Sequence, residues 1–333
     1  MIYKEHETIF DNGVFKESFL KFIAYKQSLG FKYSRRVQCA LKNLNTKLNT
    51  YKLDAPVLLK ETVETLVCRR EHESPATQNK RICLLRHFAG FLQEMGYEAY
   101  IYPEHCKTIH HEYFAPYIFT EQQIASIVKT SDSLPFMTRT PMYHIVWPAI
   151  IRVLYGCGLR LSEALSLKVK NVNLNSGTLY IEKSKNWTSR LVPMSPSLNR
   201  YMVNYMSIVN LEPRSDTYFF PAPDGGCYAV NTAYSQIKRI YEEAGIPRLS
   251  NGRLPRIHDL RHTYCCHALK QMQENGFDLY YSLPILSAYL GHQGIRDTEK
   301  YLRLPIFQHP AVVEAETAIL GDIIPEVNYY EEA

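Results

Sequence analysis

Apolar residues in the first hundred positions recur every three or four residues, not every two. Phe15, Phe19, Phe22 and Ile23 form one such stripe, and Gly30 follows where a helix would stop. Val37, Leu41, Leu44 and Leu48 form a second, and Leu58 to Val67 is a third, shorter candidate. Ser74-Pro75 reads as a helix start, with Ile82, Leu85, Phe88 and Leu92 as its stripe and Gly96 as its stop. Four or five helices of this kind bury their stripes by packing as a small bundle.

The periodicity lapses between Pro103 and Pro116. The reading is therefore a helical domain over residues 1–106, a linker over 107–118 and a second domain over 119–310. His110 and His111 fall in the linker, where adjacent residues share no helix face. Thr120 with Gln123 has the capping-box pattern and opens a helix through Val128. Tyr143 to Tyr155 is apolar on nearly every side, which predicts a buried helix bent at Pro148. Another helix is expected over Leu161 to Leu167. The period then shortens: Thr178–Glu182 and Arg190–Pro193 predict a β-hairpin. Helical patterns return at 197–209, 231–244, 258–273 and 282–290. The expected fold is mostly α with a small β-sheet.

Charge adds an asymmetry. The net +5 divides into +4 over residues 1–115, +7 over 116–303 and −6 over 304–333. A basic body suits a polyanion, while an acidic end suits protein contact. No run of 18 apolar residues suggests a membrane span, and the first residues carry no apolar run behind a basic tip. Eight scattered cysteines without a Cys-x-x-Cys pair suit reduced thiols, so a cytoplasmic location is expected.

Several polar residues stand where packing does not ask for them. Arg160 follows Gly156-Cys157-Gly158, directly after the buried helix. His258 and Arg261 are three apart and share a helix face. Lys185 sits at the tip of the hairpin, with Lys183 the alternative if the register slips. His292 follows Leu290-Gly291 at the end of an apolar helix, and Tyr301 stands nine residues later. His258, His262, Cys265, Cys266 and His267 also cluster, but no second ligand group stands at a zinc-site spacing, so no metal is expected. The cysteines there, like Cys157, read as packing residues.

Gly158-Leu-Arg-Leu-Ser-Glu163, His258-Asp-Leu-Arg-His262 and Leu290-Gly-His292 with Tyr301 resemble the boxes of the tyrosine recombinases, the phage-integrase family. Lys185, eight residues before Pro193, is similar to that family's hairpin lysine. The resemblance spans residues from about 12 to about 310, although the N-terminal part matches only in pattern. It implies an N-terminal helical core-binding (SAM-like) bundle and an α+β tyrosine-recombinase catalytic domain. It resembles the compact Xer-like or transposon-type members without an arm-binding domain.

The resemblance implies a site-specific recombinase that cuts and rejoins double-stranded DNA through a 3′-phosphotyrosine, without cofactor or ATP. Tyr301 is then the nucleophile, and Arg160 and Arg261 bind the non-bridging phosphate oxygens. Lys185 is the general acid, His258 the proton acceptor and His292 a phosphate or tyrosine partner, with Glu163 orienting Arg160. Lys80, Arg81, Arg86, Lys32, Arg35 and Arg36 are the candidate DNA contacts of the bundle, and 231–239 a helix for a groove. The acidic end holds Ala311 to Leu320, with Val312, Ala315 and Ile319 on one face. Residues 311–333 are expected to contact a neighbouring protomer, in a homo-tetramer on paired sites or a complex with related recombinases. The expected setting is integration, excision or transposition of a mobile element. Chromosome-dimer resolution, a non-catalytic DNA-binding subunit and a type IB topoisomerase are the alternatives.

Overall fold

The computed structural model describes residues 10, 12–31, 33, 35–104, 116–182, 189–212, 215–292 and 294–299. The chain divides into two compact units, residues 1–113 and 114–333.

Among the described residues, the first unit has four α-helices, α1 (Lys16–Ser28), α2 (Arg35–Leu48), α3 (Lys60–Val67) and α4 (Pro75–Glu94). The Ser74 hydroxyl accepts the Thr77 N–H at the start of α4, and Pro75 fits the first turn, where its missing N–H costs nothing. Aromatic rings fill the core: Phe19 stacks on Phe88 at 4.1 Å and on Phe10 at 5.3 Å. Leu41, Leu44, Leu48, Val63, Leu66, Ile82, Leu85 and Leu92 close around them. Burying each such side chain contributes about 1.5–3 kcal/mol. Val37 is only half-buried, at the margin of its stripe. Leu58, read as the start of a helix, instead bridges Ala99, and α3 begins two residues later.

The second unit surrounds one apolar helix. It contains α5 (Glu121–Asp132), α6 (Tyr143–Gly156) and α7 (Leu161–Leu165). A three-stranded antiparallel sheet follows, ordered β1 (Val172–Asn173), β2 (Thr178–Ile181), β3 (Arg190–Pro193). Then come α8 (Pro196–Val209), α9 (Val230–Glu243), α10 (His258–Glu274), α11 (Leu279–Leu290) and α12 (Arg296–Glu299). The capping box of Thr120 and Gln123 opens α5 with both of its hydrogen bonds. Helix α6 includes Pro148, and Val146 through Ile151 are buried without interruption, as are Val153 and Leu154. Helices α5, α7, α8 and α10 pack against it. Cys265, Cys266 and Leu269 of α10 join Leu283, Leu286 and Leu290 of α11 in a smaller apolar cluster.

Two of these elements were not expected, and a third starts earlier than its pattern suggested. Strand β1 is two residues long and α12 only four, too short to show a period. Helix α11 begins three residues early because the Asp278 carboxylate accepts the Tyr280 N–H, while Tyr280 and Tyr281 point outward and hide the stripe. No helix of the described residues is long and apolar enough to cross a membrane.

Candidate active site

Arg160 is placed by a turn that only glycine fits. Gly158 has φ +57°, and a Cβ there would stand 2.5 Å from Cδ1 of Tyr264. The chain thus leaves α6 in a left-handed step, and Arg160 becomes the residue that opens α7. Glu163, one turn on, accepts the Arg160 backbone N–H at 3.0 Å and its Nη1 at 2.7 Å.

The same carboxylate gathers two more guanidinium groups. Arg190 of β3 donates to both oxygens, at 2.8 and 3.1 Å, and its Nε donates to the Tyr289 carbonyl at 2.8 Å. Arg261 Nη1 lies 3.8 Å from Glu163. Arg261 is 1% exposed, and donates to the carbonyls of Gly158 at 2.8 Å and Leu290 at 2.6 Å. Its Nε is buried with no hydrogen-bond partner among the described residues. Burial alone would raise the Glu163 carboxyl. The hydrogen bonds and charge of Arg190, followed by those of Arg160, reverse that and hold it at about 2. Burial and then the charge of Arg160 lower Arg261 to about 10, which leaves it protonated at neutral pH. Three guanidinium groups facing one carboxylate leave an excess of two positive charges, a site made for an anion.

The histidines complete the cluster. The ring of His258 meets that of His262 edge-on at 4.7 Å. The His258 side chain is exposed by surface area, yet desolvation leads the causes that bring its pKa to about 4, ahead of Arg261, Arg160 and Arg256. It is therefore neutral at neutral pH and able to accept a proton. Burial, then His258 and neighbouring arginines, bring His262 to about 3. His292 follows the two residues that meet the arginines: Leu290 through its carbonyl, and Gly291, whose Cβ would stand 3.1 Å from Arg190. Its Nδ1 pairs with the buried Thr298 hydroxyl at 2.8 Å. With that hydroxyl donating, Nε2 carries the ring proton and is a donor.

The structure thus brings Arg160, Glu163, His258, Arg261 and His292 into one neighbourhood. Lys185, Lys183, Tyr301 and residues 311–333 lie outside the described residues. Sequence reading missed Arg190. The signal was present: two residues before the buried Val192, it belongs to the inner face of the hairpin, where a charge needs a partner. Buried Cys157 has its thiol pushed up to about 12 by desolvation, which leaves it inert as a nucleophile.

The basic residues of the first unit differ among themselves. Lys80 is exposed. Arg81, an expected DNA contact, hydrogen-bonds within its own unit. It donates to the carbonyls of Leu66 and Cys68, at the end of α3, and to both oxygens of Glu73. Helix-ending carbonyls lack partners of their own, and Arg81 supplies them. Arg86 pairs with Glu104 at 3.0 Å. Lys32 and the side chains of Arg35 and Arg36 lie outside the described residues. Asn231, Thr232, Tyr234, Ser235, Lys238 and Arg239 form an exposed side of α9.

Residues 118–305 match the model of the phage integrase family. A Sinorhizobium fredii protein named as an integrase/recombinase, y4rB, is 25% identical over 294 residues, which is 87% of this chain and 93% of that one. The tyrosine recombinase XerD of Pseudomonas putida is 32% identical over 157 residues, 46% of this chain and 48% of that one. Among solved structures, the Tn1549 transposon integrase in complex with transposon right end DNA has a similar fold. Its TM-score is 0.62 at 15% identity, over 90% of this chain and 98% of that one. The XerH recombinase bound to its difH substrate in a post-cleavage complex gives 0.60 at 20% identity, over 81% and 76%. With its family model covering more than half of its length and three arginines gathered around one carboxylate, the chain belongs to the phage integrase family of tyrosine recombinases, enzymes that break and rejoin DNA.

Proposed function

We propose that this chain binds double-stranded DNA and exchanges strands at a phosphodiester held by Arg160 and Arg261. The observation that carries this reading is the buried Arg261 Nε, a charge-bearing donor without a partner among the described residues, beside a cluster with surplus positive charge. A phosphate oxygen supplies the missing acceptor. Two planar guanidinium groups stabilise the charge that builds on the non-bridging oxygens, as preorganised donors do in other enzymes for about 3–4 kcal/mol each.

The Tyr301 oxygen attacks phosphorus and its proton passes to neutral His258. The bond from phosphorus to the 5′-oxygen breaks, and that oxygen takes a proton from the Lys185 ammonium. His292 donates to the phosphate. A 5′-hydroxyl from a second strand then gives its proton to the now-neutral Lys185 and attacks the phosphotyrosine, and the Tyr301 oxygen leaves, taking back its proton from His258. One phosphodiester is exchanged for another, so no cofactor or nucleoside triphosphate enters the balance.

The proposed setting is a mobile element in the cytoplasm, with four protomers on paired sites. The similarity to y4rB, named as an integrase/recombinase, runs along nearly the whole of both chains and is compatible with that setting. A duplex taken from the ends of its own element, nicked near the cut site, tests the chemistry. The expected result is a covalent protein–DNA adduct and joining to a second duplex. Adduct without joining would mark a topoisomerase-like activity, and no adduct a DNA-binding subunit. Deleting residues 305–333 is expected to abolish recombination and leave DNA binding within about twofold, because an acidic segment adds no phosphate contact. Full recombination by the truncated chain would remove that segment from the mechanism.

A further inference from the structure

We propose that Arg190 is a positioning residue for the phosphate-binding arginines: by occupying both oxygens of Glu163 it limits the Arg160 side chain to a single bond with that carboxylate and keeps Arg261 from folding onto it. This rests on the roles given to those two residues above.

Glu163 has two oxygens and three guanidinium neighbours. Arg190 takes both oxygens in a fork, at 2.8 and 3.1 Å. The Arg160 side chain is left with one bond, from Nη1 at 2.7 Å, and Arg261 with a 3.8 Å approach. A carboxylate released from Arg190 would accept a full fork from either of the others, and a guanidinium committed that way has fewer N–H groups for phosphate. Arg190 is itself fixed from three sides. It is anchored in β3, its Nε holds the Tyr289 carbonyl at the end of α11, and Gly291 leaves room for its guanidinium. Its side chain is 8% exposed. It thereby holds the start of α7, which carries Arg160, against the end of α11, which leads into His292. Lysine cannot reproduce this, because an ammonium offers no planar fork.

The test compares Arg190→Gln and Arg190→Lys with wild type on three nicked suicide duplexes. One has an ordinary phosphodiester. One has a methylphosphonate at the cut site, which removes a non-bridging charge and so needs less from the arginines. The last has a sulfur in place of the leaving 5′-oxygen, which needs no general acid. Removing an outer partner that orients a metal ligand costs about 10–100-fold in metal sites, and this serves as the scale for a residue that orients another. A loss of that size is expected for both variants on the ordinary duplex, shrinking to within about threefold of wild type on the methylphosphonate. The sulfur duplex should not restore it.

Wild-type rates from both variants would overturn the proposal. An equal loss on all three duplexes, with a lowered melting temperature, would leave Arg190 a structural role only. Restoration by sulfur would show that it acts through Lys185. Arg190→Lys keeps a charge beside the buried carboxylate and serves where Arg190→Gln does not fold. Failure of wild type to form any adduct would instead remove the underlying reading, a separate and visible outcome.

Discussion

Tyr301→Phe is expected to eliminate the covalent adduct while DNA binding is retained. The substitution deletes one oxygen and keeps the ring, so packing and phosphate contacts change little. Chemistry has no substitute for that oxygen: water held in the same site lacks the tether that lets the second strand reverse the step. Removal of an enzymatic nucleophile has cost about 10⁶-fold in a well-studied hydrolase, and a drop of at least about 10⁴-fold is expected here. The measurement is adduct formation on the nicked duplex, with binding followed by mobility shift on the same DNA. An adduct of undiminished yield would move the nucleophile to another of the chain's 25 tyrosines.

Glu163→Gln is expected to destabilise the second unit more than any other single charge removal in the site. The side chain keeps its shape but loses its charge, and its amide nitrogen turns a donor toward the N–H groups of Arg190 or Arg160. Breaking a buried ionic cluster by removing one partner costs about 3–5 kcal/mol. For a domain of this size that lowers the melting temperature by roughly 10 °C. The effect carries a pH signature. The folded Glu163 carboxyl sits at about 2 against an ordinary 4.5. A depressed carboxylate stabilises the fold above the ordinary value, and that stabilisation is lost as pH falls from 4.5 toward 2. The shift is worth about 3 kcal/mol. Wild type should therefore lose stability more steeply than Glu163→Gln across that interval, and the two denaturation curves should approach each other in acid. Curves that stay parallel would show that the carboxylate is not held as the contacts imply.

Much of the fold was legible as local pattern. Phe15, Phe19, Phe22 and Phe88 sit where a 3.6-residue period puts them, and they are buried together because burial is what set that period. Ser74 and Thr120 announce their helices through bonds that span three residues. Where the reading failed, the pattern was too short or pointed the wrong way. Two-residue β1 has no period to detect, and the outward Tyr280 and Tyr281 masked the first turn of α11. Arg81 shows the limit for charge. Its position among other basic residues suggested a DNA contact, and nothing local in the sequence announced that it also donates to carbonyls at the end of α3.

By itself the sequence determined which reactive groups the chain owns and which helix ends carry them. Those facts depend on spacings of a few residues, over which backbone geometry is nearly fixed. What only tertiary structure decided is the company each group keeps. Arg261 reaches the carbonyl of Gly158 across 103 residues, and Arg190 that of Tyr289 across 99. No local period constrains such meetings. They arise because the packing of α6, α7, α10, α11 and the sheet brings three cations to one carboxylate, and a buried carboxylate stays charged only where such partners surround it.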